Sequence, residues 1–174
     1  MRLLRFLPLL LSLLSPLALA DRLYEVELIV FRQSGQVLPA SQPAPDDWGS
    51  GARVLDAGSE RPPALSGEAA RLTPAKGYEV LLHQAWQQSL GSAPSSVAFS
   101  NGEASFSHHP VQGTLEMKAV RFVDLEARVW VNQFDADGLL SGSEQLKQSA
   151  RLKNGELTYL DHGSIGALIR VRPL

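Results

Sequence analysis

"LYEVELIVFR", residues Leu23 to Arg32, decides how the rest of the chain is read. Successive side chains of an extended strand point to opposite sides, so Tyr24, Val26, Leu28 and Val30 share one face. The other face opens with Glu25 and Glu27 and closes with Ile29 and Phe31. Such a strand is half-wet where it starts and covered on both faces where it ends. The pattern predicts a central strand lying under a helix or loop.

The closing half of the chain repeats the extended signal. Gly113 to Ala119 places Leu115 and Met117 inward. Phe122 to Asn132 offers Leu125, Ala127, Val129 and Val131 to one face and Glu126, Arg128, Trp130 and Asn132 to the other. Gln145 to Leu152 follows after the polar stretch Asp135 to Gly138. Lys153-Asn154-Gly155-Glu156 carries Asn-Gly, a strong hairpin signal, so Leu157 to Leu160 is expected to pair back across it. Ile165, Ala167, Ile169 and Val171 line one face of a last strand.

Between these halves the chain is less regular. Residues 34–63 are rich in Gly, Pro, Ser and Asp and hold no period, which predicts a long surface loop. Trp48 is its one residue with reason to be buried, and it predicts a clasp folded back on the body. Leu65, Ala69 and Leu72 have helical spacing, ended by Thr73-Pro74. Tyr78 to Gln88 alternates as a strand, with a helix as the alternative. Residues 90–110 read as a second loop. The expected fold is therefore α+β: a mainly antiparallel sheet with one or two short helices packed on one face.

The start of the chain speaks to its destination. A basic Met1-Arg2-Leu3-Leu4-Arg5 leads into an apolar run, Phe6 to Leu17, and then Ala18-Leu19-Ala20. This reads as a cleaved secretory signal over residues 1–20, with residues 21–174 as one mature domain. The run is shorter than the roughly 20 residues that cross a bilayer, and no further span is expected. Removing it leaves 14 basic against 18 acidic residues, a formal charge of −4. A mildly acidic protein has no general attraction for nucleic acid. The sequence holds no Cys, which excludes disulfides, thiolate chemistry and lipid attachment through Cys.

No motif for a nucleophile or a nucleotide phosphate is present, and no cofactor or metal is expected. His108 and His109 are adjacent, and their side chains diverge, so they read as a surface pair without function. His83 reads as a hydrogen-bonded, half-buried strand residue. Asp161-His162 could suggest a hydrolase, but Ser164 sits too near on the same turn to complete a triad. The preferred reading is structural: Asp161 caps backbone N–H groups of the turn and Gly163 supplies a conformation other residues resist. Aromatic and Arg residues remain as binding candidates. Aromatic faces stack on sugars and Arg forks onto carboxylates. Trp86, Arg121, Arg128, Trp130, Tyr159 and His162 are the candidate ligand contacts, with burial in the core as the competing reading for each Trp.

Four stretches in this order carry a resemblance: "YEVELIVFR", "YEVLLHQAWQQ" at 78–88, "GTL" with "RFVDLEARVWV" at 113–131, and "GELTYLDHGSIGALIRVRP" at the end. Together they resemble the CsiV family of exported proteins of Gram-negative proteobacteria. The resemblance implies a periplasmic, non-enzymatic protein that binds peptidoglycan and supports cell-wall synthesis. It further implies action through a lipoprotein activator of a bifunctional penicillin-binding protein. The alternative is an envelope assembly factor that binds only protein partners, through an exposed sheet edge.

Overall fold

Residues 21–174, which the computed structural model describes, fold chiefly into strands. In chain order these are β1 (Arg22–Gln33), β2 (Arg53–Val54), β3 (Glu60–Arg61), β4 (Tyr78–Leu90), β5 (Ser95–Asn101), β6 (Val111–Ala119), β7 (Val123–Phe134), β8 (Leu140–Leu152), β9 (Leu157–His162) and β10 (Ile165–Pro173). They form two five-stranded sheets. Sheet A runs β3-β4-β1-β10-β9 and sheet B runs β2-β5-β6-β7-β8. Every pairing is antiparallel except β2 with β5. The expected signal segment lies outside the described residues.

The α+β expectation is thereby corrected. The helical elements among the described residues are a single turn, α1 (Ser66–Ala69), and a 3-10 turn, Pro74–Lys76. Among the described residues no helix layer covers a sheet; the second sheet does that work. The cause of the difference lies in the two stretches read as loops. Residues 34–63 contain β2 and β3, and residues 90–110 contain β5. In "SSVAFSN" only Val97, Ala98 and Phe99 are apolar, and all three are buried. Three adjacent apolar residues have no period, so the strand is invisible until sheet B exists to receive it.

The core between the sheets comes from the alternation read in the sequence. Tyr24, Val26, Leu28 and Val30 of β1 meet Leu115, Met117, Leu125, Ala127, Val129 and Val131 of sheet B, with Ile165, Ala167, Ile169 and Val171 from β10. Trp86 of β4 is fully buried in this cluster, and its indole N–H donates to Gln88 Oε1 at 3.0 Å. On the far side of β1, Ile29 and Phe31 pack under Leu65, Ala69 and Leu72 of the α1 segment. The expected central strand under a helix or loop is there, with one helical turn as the cover.

The Asn154-Gly155 reading is also corrected. Lys153 to Glu156 does form a turn, with Glu156 N–H donating to Lys153 O at 3.1 Å. Yet β9 pairs with β10, and β8 pairs with β7. The turn passes the chain from sheet B to sheet A and joins no ladder. A turn sets the local reversal, while the core decides which strands meet.

Candidate functional site

The outer face of sheet A consumes its own polar groups. Glu27 is buried, yet its carboxylate accepts from Arg170 at 3.0 Å and from the Leu65 N–H at 2.7 Å, and it meets His83 Nε2 at 2.8 Å. Glu25 takes a two-pronged contact from Arg172, at 2.8 and 3.0 Å. That contact raises the Arg172 pKa above the ordinary guanidinium value. Cross-strand register makes these pairs, because Glu27 stands opposite Arg170 and Glu25 opposite Arg172. Toward the other end the face turns aromatic. Phe31 stacks on Tyr159 at 6.2 Å and meets the edge of Tyr78 at 5.7 Å. The charged end has little left to offer a ligand, while the aromatic end keeps Tyr159 48 % exposed.

Sheet B is different. Its outer face is crossed by residues 39–52, the clasp that Trp48 predicted. Ala40 N–H donates to Ser143 O at 2.8 Å and Ala44 N–H to Ser143 Oγ at 3.1 Å. Ser143 in turn donates to Asn132 Oδ1, and the Asn132 amide donates to His109 O, both at 2.7 Å. The Trp48 indole N–H donates to Ser107 O at 3.1 Å. His108 secures the middle. The fully buried Gln112 accepts the His109 N–H through Oε1, which turns its Nε2 toward His108 Nδ1 at 3.1 Å. His108 Nε2 then carries the hydrogen that faces Asp46 at 3.1 Å. The reading of His108 and His109 as a surface pair is corrected, since His108 is buried and ties down the clasp.

Between clasp and sheet runs a groove of about 510 Å³. Its sheet wall is Arg128 and Trp130 of β7 with Gln145 and Lys147 of β8; its clasp wall includes Asp47 and Trp48. Arg128 stands directly opposite Lys147 in the ladder. Neither side chain makes an ion pair among the described residues. Two like charges side by side repel, so this wall is poised for an anion. A carboxylate would accept from the Arg128 fork and take the Lys147 charge, while Trp48, partly exposed, offers an indole to a sugar face.

The structure brings together only two of the six candidate contacts, Arg128 and Trp130. Trp86 is core and is withdrawn as a contact. Trp130 is nearly buried, with 6 % exposed, and forms the groove floor. Arg121 lies in the β6–β7 turn, where its guanidinium sits 5.5 Å from the Phe122 ring, beside Arg151 at 5.2 Å. Tyr159 lies on sheet A, where its hydroxyl donates to Gln33 Oε1 at 2.8 Å. Its pKa is raised, chiefly by burial, with Asp161 adding to the rise and the Gln33 contact opposing it.

Asp161 and His162 point to opposite faces of β9, so they form no dyad. Asp161 accepts from the Gln33 amide at 2.5 Å instead of capping the turn, which corrects that expectation. Its own N–H donates to Gln148 Oε1 at 3.2 Å. Ser164 gives its hydroxyl to the buried Glu144, which also accepts from Arg32 at 2.8 Å. The chain reverses at Gly163-Ser164, with Gly163 at φ 60°, a region an L side chain resists. His162 is exposed beyond Leu160 and pairs only through its backbone, with Ile165. Among the described residues no three His, Asp or Glu side chains gather to hold a metal.

Lys147 was absent from the sequence candidates. Its signal was available in part, because alternation put it on the wet face of its strand. Only the register of β8 on β7 shows that it faces Arg128. The edges that the sheet-edge alternative would use are β3 and β9 in sheet A and β2 and β8 in sheet B. Of these, β2 and β3 are two residues each and offer few free backbone groups, whereas β8, at 13 residues, is the long edge.

A protein-family model described as "Peptidoglycan-binding protein, CsiV" matches residues 54–174, more than half of the chain. That span includes β7 and β8, the sheet wall of the groove, and stops short of the clasp. No curated protein and no solved structure matches.

Proposed function

The chain belongs to the CsiV family of peptidoglycan-binding proteins, and from that premise we propose that it is a periplasmic, non-enzymatic adaptor. In this reading it holds peptidoglycan and supports cell-wall synthesis together with a lipoprotein activator of a penicillin-binding protein. Its work is recognition, with no covalent step. The observation that carries this is the unpaired Arg128–Lys147 couple on the groove wall. Peptidoglycan combines glycan strands with peptide stems that bear carboxylates. The couple suits the carboxylates, and the Trp48 indole suits a sugar ring. The rest of the wall is polar and rigidly backed by strands, so little ordering accompanies binding.

The test is sedimentation of the chain with insoluble peptidoglycan sacculi. The unaltered protein should pellet with the sacculi, and Arg128→Ala or Lys147→Ala should lower the retained fraction several-fold. Raising the salt should do the same, because the contact is between partly exposed charges. Retention equal to that of a control protein would overturn the reading. Retention that neither substitution changes would move the site away from the groove. The adaptor role is read separately, by whether the purified lipoprotein activator joins the pellet only when this chain is present.

A further inference from the structure

Phe106 is the most exposed large apolar side chain among the described residues, at 76 %. It is also the one non-glycine residue there with a positive φ, 52°. Ser105 N–H donates to His108 O at 2.8 Å and His108 N–H to Ser105 O at 3.1 Å, which closes a tight turn. Phe106 holds its first central position, where the backbone asks for glycine. A β-carbon crowds the neighbouring carbonyl in that conformation. An aromatic ring kept strained and in water does nothing for the fold, and such outliers point to function.

The surroundings define what would cover it. Phe106, Leu139 and Leu140 with Pro43, Ala44 and Pro45 of the clasp line a concavity of about 550 Å³. The Asp135–Gly138 turn abuts it, with Ser105 Oγ donating to Gly138 O at 2.7 Å. Asp46, Glu103, Asp135 and Asp137 lie on the three segments that build this end, and residues 33–46, 101–117 and 129–146 contain no Lys or Arg. An acidic rim repels stem-peptide carboxylates and lipid phosphates alike. It attracts cations, and a central aromatic is the usual anchor of a protein interface.

The geometry points to a docking surface for a protein partner that presents apolar side chains among basic ones, with Phe106 as the anchor. The surface adjoins the groove across the clasp, whose Gln42, Pro43 and Pro45 line both, but Phe106 lines this surface alone, and docking there does not depend on peptidoglycan binding.

The experiment places a photo-crosslinking residue at position 106 of the full chain in its native host, with Val120, at the opposite end of sheet B, as the control position. A discrete adduct is expected from position 106 and none from position 120. The mapped crosslinked segment of the partner should be apolar and carry net positive charge. The double substitution Asp137→Lys and Glu103→Lys should lower the adduct at least tenfold. The absence of an adduct, an adduct with glycan or with a second copy of this chain, an acidic partner segment, or persistence after charge reversal would each overturn the proposal. A second measurement guards the premise: Phe106→Gly should raise the urea midpoint and leave sacculus retention unchanged. A lowered or unchanged midpoint would mean that the ring serves the fold. Loss of sacculus binding by the unaltered chain would refute the groove and leave this surface standing.

Discussion

On the outer face of sheet A, Glu25 and Glu27 meet Arg172 and Arg170; on the outer face of sheet B, Arg128 meets Lys147. Both faces are built from alternating strands with charged residues turned outward. Opposite charges in register neutralise each other and seal the first face. The second face also holds one opposite pair, Asp124 with Arg151, but under the clasp the like charges Arg128 and Lys147 repel and leave the groove wanting an anion. An Arg stands in both places, and the charge of its partner across the ladder differs. The second face is therefore the one we propose for binding.

That contrast can be broken at several points. The largest effect should come from Glu27→Ala, which strands Arg170 and the Leu65 N–H in a buried site. Removing one partner of a buried pair costs about 3–5 kcal/mol, read as a lower urea midpoint, with sacculus retention unchanged below the unfolding transition. Next comes Gly166→Val. A β-carbon there would lie 2.5 Å from the Phe31 ring, so overpacking should cost about 1–3 kcal/mol, again without a specific loss of binding.

On sheet B the signs should reverse. Lys147→Glu places opposite charges in register with Arg128 and should stabilise by roughly 0.2–1 kcal/mol, while sacculus retention falls. If retention holds and stability drops, the two faces do not differ as described. The smallest effect is titration of Tyr159. Its folded pKa lies above the ordinary phenol value, mainly through burial. The neutral form is therefore favoured on folding, and its contribution is complete below the unfolded pKa. It fades as pH rises through the folded value. Tyr159→Phe should flatten that alkaline decline in a denaturation series against pH, and an unchanged slope would assign the decline to other groups.

Much of one layer was legible beforehand. The inward residues of β1, β6, β7 and β10 follow from period-2 alternation, and they are the residues found in the core. Trp48 signalled a clasp because a lone indole in a polar loop seeks cover. The helix-covered sheet was an error of the same logic: Ile29 and Phe31 demanded a lid, and the spacing at Leu65, Ala69 and Leu72 offered one. The lid exists as a single turn. What covers the other face is sheet B, completed by strands that carry no alternation of their own.

The candidate site was less legible. Arg128 and Trp130 could be chosen by type and face, but Trp86 has the same type and lies in the core. Alternation says which residues share a face and is silent on which face meets another sheet. Phe106 sits inside a stretch read as loop, and nothing in "ASFSH" announces a positive φ at Phe106.

By itself the sequence determined the family, the apolar stripes and the absence of thiol chemistry, because these depend on composition and on near neighbours along the chain. The tertiary structure decided that β8 and β9 part company across Asn154-Gly155, that Glu27 finds Arg170 and Arg128 finds Lys147, and that residues 39–52 roof a groove. Those outcomes depend on register between strands far apart in the chain. Register is selected by the sum of buried contacts across two sheets, a quantity that no local stretch contains.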